Sequence, residues 1–229
     1  PTPPPPNNLT HHTLTNSPLT LQQVTLCIPH TSTILIQDLS LTIAPDQSLL
    51  IVGESSVGKS SLLRGIAGLW RTGSGTILSP PVQNLLFLPQ RPYMVLGSLR
   101  QQLSYPSPFS HSDQPLIQVL EQVQLAYLLD RWGGLAASPE WSTVLSLGEQ
   151  QRLAFARLLL AQPQYALLDE ATSALDEASE ASLYALLQAT SIAFISVGHR
   201  PTLLPYHQQV LHLKGDRTWM LSDSHDFGF

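Results

Sequence analysis

The stretch Gly53-Glu54-Ser55-Ser56-Val57-Gly58-Lys59-Ser60-Ser61 constrains this chain more than any other. It fits G-x-x-x-x-G-K-[ST] at every fixed position. The apolar run Leu49-Leu50-Ile51-Val52 precedes it and predicts a buried strand. Ser60 to Leu69 then alternates apolar and polar residues at helical spacing. Strand, glycine loop and helix are what phosphate binding needs. Gly53 and Gly58 let the backbone curl so that successive N–H groups face inward, and the helix N-terminus favours an anion. In that geometry Lys59 reaches the β- and γ-phosphates of a nucleotide, Ser60 ligates Mg²⁺, and the backbone of Glu54, Ser55, Ser56, Val57 and Ser61 completes the cradle.

The loop alone does not choose among nucleotide enzymes. It also resembles the loop of small GTPases, which would need N-K-x-D downstream. The asparagines are Asn7, Asn8, Asn16 and Asn84, and none precedes Lys. Asp130-Arg131-Trp132-Gly133 fits D-x-x-G, a pattern too short to carry the assignment.

The rest of the chain reads as one large α/β domain behind a tail. Pro1 to Pro18 is a linker by composition: five of its first six residues are Pro, and no charged side chain precedes Asp38. The His11-His12 pair there is a solvated tail in preference to a metal site. Strands are expected over Leu19–Ile28, Ile34–Ile43, Thr76–Leu78 and Leu85–Leu88. A helix starts at Ser98, and Pro106 and Pro108 break it. Helical spacing then runs from Asp113 to Leu129. Ser146 and Glu149 form a capping box for a helix reaching about Ala161. A strand over Tyr165–Leu168, a helix capped by Asp176, a strand over Ile192–Val197 and a closing hairpin (Gln209–Leu213, Thr218–Leu221) complete the chain. Outside the helical middle, strands and helices alternate, which predicts a mainly parallel sheet wrapped by helices.

A net charge of −5 argues against nucleic acid as a partner. The single cysteine, Cys27, has no intramolecular partner and suits a reducing compartment. No apolar run reaches the ~18 residues of a membrane helix, and no signal peptide is visible. The chain begins with Pro, as expected for a piece of a longer polypeptide.

Asp169 and Glu170 end the Tyr165 strand. In open α/β sheets ligands bind at that edge, so Asp169 is a candidate Mg²⁺ holder and Glu170 a candidate base for an attacking water. Two solvated acids starting a helix are the alternative.

Taken together, the residues resemble a family. Gln90, Leu145-Ser146-Leu147-Gly148-Glu149-Gln150, Leu168 to Asp176 and Ser196-Val197-Gly198-His199-Arg200 follow the phosphate loop in the order of the Q-loop, signature, Walker B with D-loop, and H-loop of ABC-transporter ATPases. The resemblance covers roughly 19–221. The phrases around Gly68-Leu69-Trp70, Pro89 to Tyr93 and His199 to Leu203 look closest to the branch of peroxisomal fatty-acyl half-transporters and bacterial relatives with permease and ATPase in one chain.

The resemblance implies a phosphate-loop NTPase core with an N-terminal antiparallel β subdomain and a helical signature subdomain over about 91–162, all within a domain spanning 19–229. It implies two copies packed head to tail around two ATP, as an ATP-dependent homodimer. Ser146 and the Gly148 backbone would meet the γ-phosphate held by the other copy, and Asp176 would reach across. Gln90 would sense Mg²⁺ and the attacking water, and His199 would hydrogen-bond the γ-phosphate. A transmembrane permease domain fused upstream would place the chain on the cytoplasmic face of a membrane.

The sequence departs from the pattern in places. Ser56 replaces a usual Gly, at a cost of about 1–2 kcal/mol if the backbone there is left-handed. Leu147 replaces the second signature Gly, Asp46 replaces a turn Gly, and Ile28 stands where an adenine-stacking aromatic is expected. Two other readings remain: a degenerate nucleotide-binding module that gates a partner without turnover, and a soluble ABC ATPase of DNA repair or translation. Intact Lys59, Asp169, Glu170 and His199 argue against the first. The absence of long coiled-coil inserts or a tandem ATPase domain argues against the second.

Overall fold

The computed structural model describes residues 9–15, 17–106 and 112–228. They divide into two compact units. The first comprises the described residues up to 87, with 164–169 and 191–228, and the second those from 88 to 163, with 170–190. The chain therefore crosses from one unit to the other between Asp169 and Glu170.

The first unit is built on two sheets. One is four-stranded, in the order β1 (Thr10–Thr13), β5 (Gly73–Ser79), β2 (Leu19–Cys27), β3 (Ile34–Ile43). β2 runs antiparallel to β3 and to β5. In β3 only one side is consistently buried, through Ile36, Leu39, Leu41 and Ile43, as expected of an antiparallel sheet with one wet face. The other sheet is six-stranded, in the order β10 (Trp219–Asp223), β9 (Gln209–Leu213), β4 (Ser48–Val52), β8 (Ala193–Val197), β7 (Tyr165–Asp169), β6 (Leu85–Leu88). β4 pairs in parallel with β8 and β9, and β7 in parallel with β8. β4, β7 and β8 are buried at every residue, which is why they read as mostly apolar runs rather than alternating ones.

The two sheets of this unit share one core, with Leu26, Ile36, Ile51, Leu63, Tyr165 and Ile195 among its members. The Tyr165 hydroxyl ties them together. It donates to Ile43 O at 2.8 Å and accepts from Leu19 N at 3.1 Å. Burial pushes its pKa up. α1 (Lys59–Ile66) packs against β2, β7 and β8. Gly68, in the left-handed region at φ 75°, ends it. The N–H groups of Gly68 and Leu69 return to Gly65 O and Arg64 O, closing the helix as a Schellman motif.

The second unit is helical. It holds α2 (Leu99–Ser104), α3 (Asp113–Gln122), α4 (Tyr127–Trp132), α5 (Trp141–Val144), α6 (Leu147–Ala161) and α7 (Glu177–Gln188). α6 packs against α2, α3 and α7. Phe155 on α6 meets Tyr184 on α7 edge-on, ring centroids 6.1 Å apart. Arg157 on α6 is buried. Its guanidinium donates to Gln102 O at 2.6 Å, Tyr93 O at 2.7 Å and Gln102 Oε1 at 2.9 Å. Burial pulls its pKa down to about 10.

Two expectations change. The tail expected as a Pro-rich linker contains β1, whose residues 10–13 pair in parallel with Thr76–Ser79 of β5. A Thr- and His-rich segment can form an edge strand because the neighbouring strand, not its own composition, supplies the pairing. The remaining expectations for the Pro-rich start, Asn7 and Asn8, Asn16 and Pro108 lie outside the described residues. The helical spacing read from Asp113 to Leu129 is divided between two helices, α3 and α4. Gln124 adopts φ 59°, and the N–H groups of Gln124 and Leu125 return to Glu121 O and Leu120 O. This is a Schellman ending without glycine. Leu125 and Leu128 stay buried beyond the break, so the apolar spacing continues where the helix does not.

Candidate functional site

The parallel strands of the first unit bring their C-terminal ends to one edge. Ile51 is in register with Val197, and Asp169 with the same Val197. The loop Gly53–Gly58 therefore leaves β4, Asp169 closes β7, and Gly198-His199 follows β8, all from that edge.

The phosphate loop is tightly specified. A Cβ at Gly53 would lie 2.3 Å from Leu213 O, and the residue sits at φ 143°. Gly58 precedes α1 at φ 108°. Ser56 is left-handed at φ 68°, so the conformational cost anticipated for a non-glycine residue, about 1–2 kcal/mol, does apply. Asp46, by contrast, is not among the positive-φ residues, so its turn needs no glycine. Lys59 is buried, and its ammonium donates to Gly53 O at 2.8 Å and Glu54 O at 2.7 Å. The cation thus lies along the inside of its own loop. Val57 is buried, while Glu54, Ser55 and Ser56 are exposed.

Ser60 Oγ donates to Asp169 Oδ1 at 2.6 Å, and Arg64 stands 3.9 Å from the other carboxylate oxygen. A buried carboxylate beside a hydroxyl at the start of a helix is an all-oxygen donor pair, suited to a hard cation such as Mg²⁺. Among the described residues no group of three or more His, Cys, Asp or Glu could hold a metal. A cation here would therefore depend on nucleotide and water for its other ligands. His199 is exposed. His207 is buried, with Nδ1 2.8 Å from Leu203 O and Nε2 2.8 Å from Ser196 Oγ. Burial pulls its pKa down to about 4. Ile28, at the end of β2, is 36% exposed.

The second unit carries the other candidates. Gln90 Nε2 donates to Glu170 Oε2 at 2.8 Å. Glu170 is left-handed at φ 51°, a strained conformation for a non-glycine residue and of a kind that clusters at functional positions. Ser146 is the N-cap of α6. Its Oγ accepts from Glu149 N at 3.3 Å, while Glu149 Oε2 accepts from Ser146 N at 2.6 Å. Glu149 also accepts from the Tyr127 hydroxyl and lies 3.8 Å from Arg131. Burial alone would raise the Glu149 pKa. The hydrogen bonds from Tyr127 and Ser146 and the Arg131 charge outweigh it, and the net shift is downward. Burial and the Glu149 contact push Tyr127 up to about 12.

A Cβ at Gly148 would stand 3.2 Å from Leu175 Cδ2 and 3.3 Å from Ala174 O, so the signature turn packs closely on the loop before α7. Asp176 caps α7, accepting from Ser179 N at 2.8 Å and Ser179 Oγ at 3.0 Å. Those bonds hold its pKa below the usual carboxylate value. Two residues with strong local roles were not singled out in the sequence, Gln151 and Arg157. For Gln151 the available signal was a polar residue in line with buried apolar ones on α6, since Gln151, Phe155 and Leu158 recur at helical spacing.

The family described as ABC transporter matches residues 36–173. An uncharacterized ABC transporter ATP-binding protein of Synechocystis is 56% identical over 203 residues, covering 88% of this chain and 31% of that protein. The chloroplastic ABC transporter D family member 2 of Arabidopsis thaliana is 44% identical over 257 residues, covering 90% and 36%. The lysosomal cobalamin transporter ABCD4 of Mus musculus is 44% identical over 215 residues, covering 88% and 35%. The chain thus spans about a third of the length of these relatives, which match the branch that the sequence resembles. A solved bacterial Atm1-family ABC exporter with ATP bound shares the fold, with a TM-score of 0.81, 24% identity, and coverage of 96% of this chain and 41% of that one. The chain belongs to the ABC transporter family, as an ATP-binding domain.

Proposed function

We propose that this chain is an ATP-hydrolysing motor domain that works as a head-to-tail pair with a second copy. It would drive transport through a permease domain fused upstream, on the cytoplasmic face of a membrane. The observation that carries the reading is the Ser60–Asp169 hydrogen bond at 2.6 Å, beside a lysine held inside a glycine loop. Hydroxyl, carboxylate and ammonium are the groups that a Mg²⁺-bound triphosphate requires.

In this reading Lys59 trades its loop carbonyls for β- and γ-phosphate oxygens. The N–H groups of Gly53 to Ser61 cradle the remaining phosphate charge. Ser60 and Asp169 would hold Mg²⁺, with Gln90 as a further contact, and the metal would supply neutralisation of phosphate charge. Glu170 orients the attacking water and takes its proton as the water oxygen bonds to the γ-phosphorus and the bond to the β-phosphate oxygen breaks. Gln90 holds the Glu170 carboxylate, and His199 donates to the γ-phosphate. Ser146 and the Gly148 N–H, at the start of α6, would bind the γ-phosphate held by the other copy, where a helix N-terminus favours an anion. The exposed Asp176 lies on the loop that would face that copy.

Calorimetry with ATP tests the binding step. Lys59→Ala removes the one cation of the loop and should abolish tight binding; unchanged affinity would overturn the phosphate-loop assignment.

A further inference from the structure

Gln151 is fully buried on α6, yet every polar group of its amide is used. Nε2 donates to the backbone oxygen of Gln90 at 2.9 Å and to Ser173 Oγ at 3.3 Å, and Oε1 accepts from Ala174 N at 3.0 Å. Ser173 N in turn donates to Glu170 O at 3.1 Å, and Gln90 Nε2 donates to Glu170 Oε2 at 2.8 Å. The bonds form a closed circuit from Gln151 to Gln90, to Glu170, to Ser173 and back.

From this circuit we infer that Gln151 is a positioning residue that sets the separation of Gln90 and Glu170. The inference rests on the ATPase reading above. The chemistry supports it at each step. Glu170 sits at a left-handed φ of 51°, a conformation that persists only where its surroundings hold it. The turn after Glu170 is pinned at two points, Ser173 Oγ and Ala174 N, by one side chain. The same side chain pins the main chain of Gln90, whose amide reaches the carboxylate. A primary amide has the required pattern, two donors and an acceptor on one planar group. A carboxylate lacks the donors, and an aliphatic side chain lacks both. Because Gln151 projects from the helix that Ser146 caps, it also links the signature helix to the acid that would receive the proton. Gln151 touches neither water nor nucleotide in this account and acts through Gln90 and Glu170.

The test compares Gln151→Met, which keeps volume, with Gln151→Glu, which keeps the acceptor for Ala174 N but loses both donors. ATP turnover, ATP affinity and thermal unfolding are measured on the parent, on both variants, on Gln90→Ala and on the double variant. A misplacement of about 1 Å of a reacting group costs on the order of 10²-fold. Turnover should therefore fall by that order in either variant, with KM for ATP unchanged, and the double variant should fall no further than Gln90→Ala alone. An active parent beside variants at the parent rate overturns the inference and leaves the ATPase reading intact. So do losses that multiply in the double variant, or that follow the melting temperature alone. Failure of both variants to fold also overturns it, by making Gln151 a structural residue. A parent that binds ATP without turnover overturns the hydrolase reading and this inference with it.

Discussion

Replacing Glu170 by Gln removes one proton acceptor while leaving its surroundings nearly intact. The Gln90 Nε2 bond at 2.8 Å can be kept by the amide oxygen, exchanging a charge-assisted bond for a neutral one at a cost of about 1 kcal/mol. The left-handed φ of 51° is no harder for Gln than for Glu, so the fold should lose no more than that. Lys59, Ser60 and Asp169 keep their mutual contacts, and ATP should bind as before. Hydrolysis should fall about 10²–10⁴-fold, the usual worth of a positioned general base, which is about 3–5 kcal/mol of barrier. If the two-copy complex is resolved by hydrolysis, Glu170→Gln should also accumulate as a dimer in ATP and Mg²⁺. Phosphate release read beside light scattering measures both effects. Turnover at the parent rate would show that Glu170 is only an acid at a helix start and that the mechanism is wrong.

Asp169→Asn should behave differently. It keeps an acceptor for Ser60 Oγ but loses the charge toward Mg²⁺. Affinity for ATP without metal should be nearly unchanged, while the gain from adding Mg²⁺ should shrink by about tenfold or more; titrations with and without Mg²⁺ decide. His207 makes stability depend on pH. Its folded pKa, about 4, lies below the ordinary 6.5 because burial disfavours the charged ring. The unfolded chain therefore takes up the proton first, and stability is lost as pH falls through 6.5 toward 4. The loss should reach roughly 2 kcal/mol by pH 5, and urea unfolding of the parent and of His207→Gln should show it in the parent alone.

How much of this was legible in the sequence depended on where the physics is local. Ser146 with Glu149, and Asp176 before its helix, are caps whose chemistry is complete within four residues, and the structure has them as read. The buried strands β4, β7 and β8 announced themselves because each had to be apolar on both faces. β1 did not, because Thr10–Thr13 owes its conformation to the partner strand β5. The break after Gln122 was hidden because a glutamine, not a glycine, took the left-handed position. Gln151 was hidden for a similar reason. Its partners lie 61, 22 and 23 residues away, and no local pattern records them. Residues 170–190 belong to the helical unit as well, and there α7 packs on α6.

The most direct test of the central claim is ATP turnover per chain as a function of chain concentration. If each nucleotide is completed by the signature helix of a second copy, a dilute chain is mostly monomeric and nearly inactive. Specific activity should then climb with concentration, and tethering two copies should raise it at fixed concentration. Turnover per chain that is constant over a hundredfold range of concentration, or absent at every concentration while ATP still binds, would contradict the account.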